Sequence, residues 1–172
     1  MSLSDGDYII IRDSVVSAIE ADTGIGGLFE TGDPPVKTVE AEIRREPLVY
    51  RDHEAPAIAV VIKNKNERRE SGAYVRIYRL ALYIFLRGID AEAEIARCMR
   101  IASRLEDLLR EENAPSRQLC ALPAQLPWSV GSLDLTPGST QFITGEDAQG
   151  GQKKYSIVGI VEADISIPAV VY

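Results

Sequence analysis

Residues 73–87, AYVRIYRLALYIFLR, decide the fold. Aromatic and branched aliphatic side chains dominate, and neither glycine nor proline interrupts them, so the stretch reads as one strand. Fully extended, its fifteen residues would reach about 50 Å at roughly 3.3 Å each. Alternation assigns Val75 and Ile77 to one face of the first half, and Tyr74, Arg76 and Tyr78 to the other. From Leu80 to Leu86 both faces are apolar. One end is therefore expected to keep a wet face, while the other needs cover on two sides.

Working outward from this strand, Lys63 to Gly72 (KNKNERRESG) reads as a polar hairpin loop. Before it, Ala57 to Ile62 is apolar on both faces and suits a central strand. Earlier still, Val39, Ala41 and Ile43 alternate with Thr38, Glu40, Glu42 and Arg44, the period of a half-buried strand that ends before Glu46 to Pro56. On the far side, Asp90 is placed to cap a helix with Glu92 and Glu94 in its first turn. Ala91, Ile95, Cys98, Ala102, Leu105 and Leu109 form its apolar stripe, widened by Ile101 and Leu108. Arg97, Arg100, Arg104 and Arg110 fall off that stripe, and Asn113-Ala114-Pro115 ends the helix. A first helix draws its stripe with Tyr8, Ile11, Val15, Ala18 and Ile19 and stops at the glycines of Thr23 to Gly27.

After the second helix, residues 115–128 contain Pro115, Pro123 and Pro127 and read as an extended connector. Ser129 to Leu135 and Ser139 to Thr144 read as short strands about a Pro137-Gly138 turn. Gly145 to Lys154 reads as a loop and Tyr155 to Ile167 as a closing strand. The order predicts an α+β fold: a mostly antiparallel sheet with two main helices packed on one face, in one domain over residues 1–172.

Composition narrows the function. The 172 residues carry 19 Lys and Arg against 26 Asp and Glu, a net charge of −7, which argues against a general nucleic-acid coat. The longest apolar run, Leu80 to Leu86, is far too short to span a bilayer. The N-terminus shows no basic segment followed by an apolar core, so no signal peptide is expected and a soluble, cytoplasmic protein is. Cys98 and Cys120 are too few for a disulfide framework.

Candidate chemistry is sparse. His53 sits between Asp52 and Glu54, but one histidine without a second ligand at metal spacing reads as a solvated loop residue. Cys98 lies on the helix stripe as a small hydrophobe, and Cys120 has neither a nearby histidine nor a CxxC partner. Gly24-Ile25-Gly26-Gly27 follows a helix, whereas phosphate-cradling glycines open one. Asp13, Glu20 and Asp22, and likewise Glu40 and Glu42, read as solvated surface. No nucleophile, base and orienting group converge, so no catalytic residue, metal ligand or cofactor is expected, and an enzyme is the minority reading.

Charge distribution says more. Residues 1–60 hold five cations against twelve anions, while residues 63–79 hold six cations against two anions. The basic set is Lys63, Lys65, Arg68, Arg69, Arg76 and Arg79. A solvated hairpin is the plain reading. The sharper one sets this basic arm against a neighbour's acidic face in a directed, head-to-tail contact, with DNA phosphates a third choice. The doubly apolar strand and an apolar C-terminus (Ile165 to Tyr172) point the same way. Lys63, Lys65, Arg68, Arg69, Arg76, Leu80, Leu82 and Ile84 are thus expected at an interface between copies.

The order of elements also resembles a known family. A short helix leads to Pro56-Ala57-Ile58-Ala59-Val60, a charged hairpin, then Tyr78-Arg79-Leu80-Ala81-Leu82-Tyr83-Ile84-Phe85-Leu86. Gly88-Ile89-Asp90 follows, with a helix bearing Ile95, Ile101, Leu105 and Leu108-Leu109, and then late strands. Over roughly residues 5 to 167 this pattern is similar to the tail terminator, or tail completion, proteins of long-tailed bacteriophages, including lambdoid minor tail protein U and related prophage proteins. The resemblance implies a structural protein without catalysis, one that forms a homo-oligomeric ring, commonly a hexamer, on the tail tube. Its implied partners are the tail-tube protein and a head-completion protein, with no membrane and no sequence-specific nucleic acid. It would sit in the host cytoplasm during assembly and in the virion tail afterwards. The resemblance transfers no site residue. The competing expectation is an α+β ligand-binding or regulatory module outside phage biology.

Overall fold

In a computed structural model, residues 6–32, 34–41, 50, 54–114, 116–149 and 152–170 are described. The fold is α+β. Helix α1 spans Asp7–Glu20 and helix α2 Ala91–Glu112, and a 3-10 helix covers Gln118–Gln125. The strands are β1 (Thr38–Glu40), β2 (Ala57–Glu70), β3 (Ala73–Gly88), β4 (Asp134–Gln149) and β5 (Gln152–Ala169). They form one sheet in the order β1-β2-β3-β5-β4, antiparallel throughout except where β1 lies parallel to β2.

The central strand runs as its pattern requires. Tyr78, Leu80, Leu82, Ile84 and Leu86 enter the main core beneath the helices, beside Ile58 and Val60 of β2 and Ile157, Val161, Ala163, Ile165 and Ile167 of β5. The helices supply Ile11, Val15, Ala18 and Ile19 from α1, and Cys98, Ile101, Ala102, Leu105, Leu108 and Leu109 from α2. Each buried aliphatic side chain contributes about 1.5–3 kcal/mol relative to leaving it in water. Asp90 caps α2 by accepting the Ala93 N–H at 3.1 Å. Gly159 lets α2 approach β5, because a Cβ there would lie 2.8 Å from Cys98 Sγ and 3.1 Å from Ile84 Cδ1.

Three expectations are corrected. Lys63 to Glu70 is strand, not loop: β2 continues through a bulge between Ile62 and Asn64, and only Ser71-Gly72 turns the chain. Both turn residues have positive φ (48° and 87°), the form whose twist matches a two-residue hairpin, and glycine makes the second one easy. Cross-strand pairing sustains the charged half, since Glu67 faces Arg76 and binds its Nε at 3.2 Å. Second, Pro137-Gly138 is no turn between two strands. It is a bulge in one continuous β4, where Gly138 permits close approach to the Glu162 carbonyl. Asp134 is already in this strand, while Ser129 makes only an isolated bridge to Ala169. Third, residues 145–154 extend the β4–β5 pairing as far as Gln149↔Gln152 and do not form an open loop.

The connector also folds. Its 3-10 helix buries Leu119 and Leu122 against the core, and buried Glu112 accepts the Leu119 N–H at 2.9 Å. Pro115, residues 42–44 of the expected first strand and the Gly150-Gly151 tip lie outside the described residues.

Candidate functional site

The far half of the β2–β3 hairpin places its cations in two groups. Lys65, Glu67 and Arg69 lie on the helix side with Tyr74, Arg76 and Tyr78, because each pairs with a residue of that side. Here the N-terminus of α1 meets the sheet. The Tyr78 hydroxyl donates to Asp7 Oδ2, Lys65 Nζ donates to the same oxygen at 3.4 Å, and Arg76 stands 3.8 Å from it. Burial alone would raise the Asp7 pKa, but the Tyr78 hydrogen bond and the Lys65 charge outweigh it and hold the carboxyl below its usual value. Tyr78 is raised in turn, by burial and by the bond to Asp7. Arg76 also stacks over Trp128, 4.1 Å from the ring centroid, and Tyr8 meets Tyr78 edge-on.

The expected wet face is wet only at its outer end, where Tyr74 is exposed. Tyr78 is fully buried on the helix side, while Val75 and Ile77 are half-buried on the opposite one. Polar tips on Tyr78 and Arg76 conceal apolar bodies, and Asp7 at the helix start satisfies the tips.

On the second side of the sheet, Lys63 pairs with Glu162 at 3.0 Å and Arg79 with Asp164 at 3.1 Å. Arg68 pairs with Glu70 there, while on the helix side Arg69 lies 6.0 Å from the Tyr74 ring centroid. Every expected interface cation thus has a partner within its own chain. Leu80, Leu82 and Ile84 are fully buried under the helices, so their side chains offer a second copy no surface. These three side chains lie on the strand's even-numbered face, the one the helices cover.

The odd-numbered face is covered in part by the same chain. Ala57, Ala59, Phe85 and Tyr50 form a small second cluster, with the Tyr50 ring 5.0 Å from that of Phe85. Ala81 is buried as well, whereas Val61, Tyr83, Val158 and Ile160 remain half-buried. Register places Ala57, Phe85, Val158 and Ile143 in one apolar row across this face. The row ends at Ile143, which is 54% exposed on the outermost strand. Its neighbour Phe142 is 39% exposed and points to the helix side, in line with Gly159 and Ile84.

Phe142 and Ile143 were not singled out from the sequence. The available signal was charge: Leu135 to Gly145 is eleven residues without a charged side chain, in a chain that is 26% charged.

The remaining candidates stay apart. Cys98 is buried among apolar groups, which pushes its thiol up to about 12. Cys120 Sγ donates toward the carbonyls of Ala114 at 2.9 Å and Glu112 at 3.3 Å. Three N–H groups of the glycine loop are spent locally: Gly26 on Glu30 at 3.2 Å, Gly27 on the Gly24 carbonyl at 2.9 Å, Leu28 on Asp22 at 2.8 Å. Asp22 also binds Arg104 at 2.5 and 2.9 Å, and burial, which would raise its pKa, is outweighed by that hydrogen bond. Glu40 accepts the Tyr50 hydroxyl at 2.9 Å, while Glu42, Asp52 and His53 lie outside the described residues. Among the described residues, no three His, Cys, Asp or Glu side chains gather as a metal site would require. A cavity of about 290 Å³ opens between Leu28, Pro35 and Ile101, rimmed by Gly26, Arg97, Arg100 and Arg104. No described helix is long and apolar enough to cross a membrane.

No protein-family model matches this chain, and no curated protein matches it significantly.

Proposed function

We propose that this chain is a structural assembly protein of the tail-terminator kind. Copies join head to tail into a ring, a hexamer by the family resemblance, that caps a phage or prophage tail tube and joins it to the head. The observation that carries the reading is the apolar row Ala57–Phe85–Val158–Ile143, which crosses the side of the sheet away from α1 and α2 and runs out to an exposed sheet margin. Apolar surface that continues to an open margin is stabilised when another polypeptide extends the sheet over it. The order of helix, hairpin, long strand, helix and late strands supports the same reading. Its partners would be further copies of the chain, the tail-tube protein and a head-completion protein, met in the host cytoplasm during assembly.

Light scattering tests it. At rising concentration, or with tail-tube protein added, the chain should give a species several-fold heavier than 18.9 kDa. A single mass of 18.9 kDa under every condition overturns the reading.

A further inference from the structure

Among the described residues the sheet has two long unpaired margins. β1 pairs with β2 at Ala57, Ile58 and Ala59, and the outer side of β2 from Val60 to Glu70 faces no described strand. β4 is last in the strand order, and its outer side faces none along its length. Unpaired backbone N–H and C=O groups are a template for another strand, and natural edges guard against this with charged side chains. The β2 margin is guarded: residues 63–70 carry Lys63, Lys65, Arg68 and Arg69 with Glu67 and Glu70. The β4 margin is not, since its stretch from Leu135 to Gly145 holds no charge while Phe142 and Ile143 lie exposed.

Strand direction selects what can cover both. Passing from β2 through β3 and β5 to β4, each pair is antiparallel, so β2 and β4 run in opposite senses. When β2 of a second copy is laid on β4 in the same orientation of the sheet, the new pair is antiparallel. The helices of both copies then stay on one side of the joined sheet. Pairing β4 with β4 about a two-fold axis would satisfy that margin but leave two β2 margins open. Pairing β2 with β2 would set cations against cations. Charge favours the mixed joint, because the only charged residues in β4 are Asp134, Glu146 and Asp147, all acidic, and residues 63–70 carry four cations against two anions. A joint between unlike surfaces repeats from copy to copy and closes when the rotation per step divides a full turn.

We infer that the uncharged outer edge of β4, residues 139–145, receives the outer edge of β2, residues 63–70, from a second copy of this chain. The inference rests on the ring reading above and supplies its joint.

Two variants test it. One carries Phe142→Lys with Ile143→Lys, the other Arg68→Glu with Arg69→Glu; all four side chains are exposed, so the subunit should fold, as circular dichroism and the thermal midpoint check. Each variant alone should stay at 18.9 kDa where the unsubstituted chain is several-fold heavier. An equimolar mixture should reach twice 18.9 kDa and no more, because the β4 variant keeps a sound β2 margin and the β2 variant a sound β4 margin. If the β2 variant alone forms a dimer, β4 pairs with itself and the joint is overturned. If either variant assembles like the parent, or the mixture never exceeds the monomer mass, the joint is overturned while the ring reading stands. If the unsubstituted chain never assembles, the ring reading fails and this inference with it.

Discussion

The two ends of the β2–β3–β5 sheet are held by different physics. At the near end, Ile58, Val60, Leu80, Leu82, Ile84, Ile157 and Val161 share one core with α1 and α2, with no charged group among them. At the far end, Tyr78 is the last fully buried β3 side chain, and beyond it Lys65, Glu67, Arg76 and Asp7 bind one another beside Trp128 and Tyr8. The near end is stabilised by burial, which salt barely affects; the far end by ion pairs and hydrogen bonds, which depend on pH and partly on salt.

The largest expected effect belongs to the near end. Leu82→Ala removes a fully buried side chain from the centre of β3 and should cost about 2–5 kcal/mol, read as a lower urea midpoint with an unchanged slope. The loss should be the same in low and high salt. A loss under about 1 kcal/mol, or one that salt reverses, would mean that the core collapses onto the gap or that charge matters there.

The contrast also explains what could be read from residues alone. The near end was legible because its side chains follow a single period: the α2 stripe from Ile95 to Leu109 and the apolar run Leu80–Leu86 both came through into the core. The charged half of β2 was not, since Lys63 to Glu70 shows no apolar alternation and its stability comes from the facing strand. Tyr78 and Arg76 misled for a related reason. Their polar ends suggested water, yet Asp7 lies 71 residues away from Tyr78 in sequence and supplies the partner. The β4 margin was hidden by Pro137-Gly138, which has the composition of a turn but lies at a bulge in an edge strand, where proline is tolerated. Of the expected interface, the cationic residues are on or near the surface, and the leucines and isoleucine are not.

At the far end the effect should be smaller and should depend on acid. Tyr78→Phe removes a hydroxyl that donates to a carboxylate, a loss of about 1.5–3 kcal/mol at neutral pH. Because the Asp7 pKa is lowered in the folded chain, its contribution is present above the ordinary value of 3.8 and is lost as pH falls below it. The gap between Tyr78→Phe and the parent should therefore narrow as pH drops through and beneath that value. Asp22, lowered through Arg104, adds an acid sensitivity common to both proteins and cancels in the difference. A gap that holds constant down to pH 2 would remove Asp7 from the account and leave only the packing of the Tyr78 ring.

The smallest effect belongs to a pair that looks well made. Arg79 lies directly opposite Asp164 across β3 and β5, with Nε 3.1 Å from Oδ1. The Asp164 hydrogen bond and charge raise the Arg79 pKa, a sign that the two groups attract. Attraction is not stability here, because Arg79 is half exposed: water solvates the separated ions almost as well, and ordering two side chains costs entropy. Arg79→Gln should leave the urea midpoint of the isolated subunit unchanged within error, at low salt and at high. The same substitution lies beside the basic β2 margin, at the register position of Asn64. If it instead lowers the midpoint as far as Tyr78→Phe does, the boundary between the two ends does not fall at Tyr78, and the ionic region extends across both faces of the sheet.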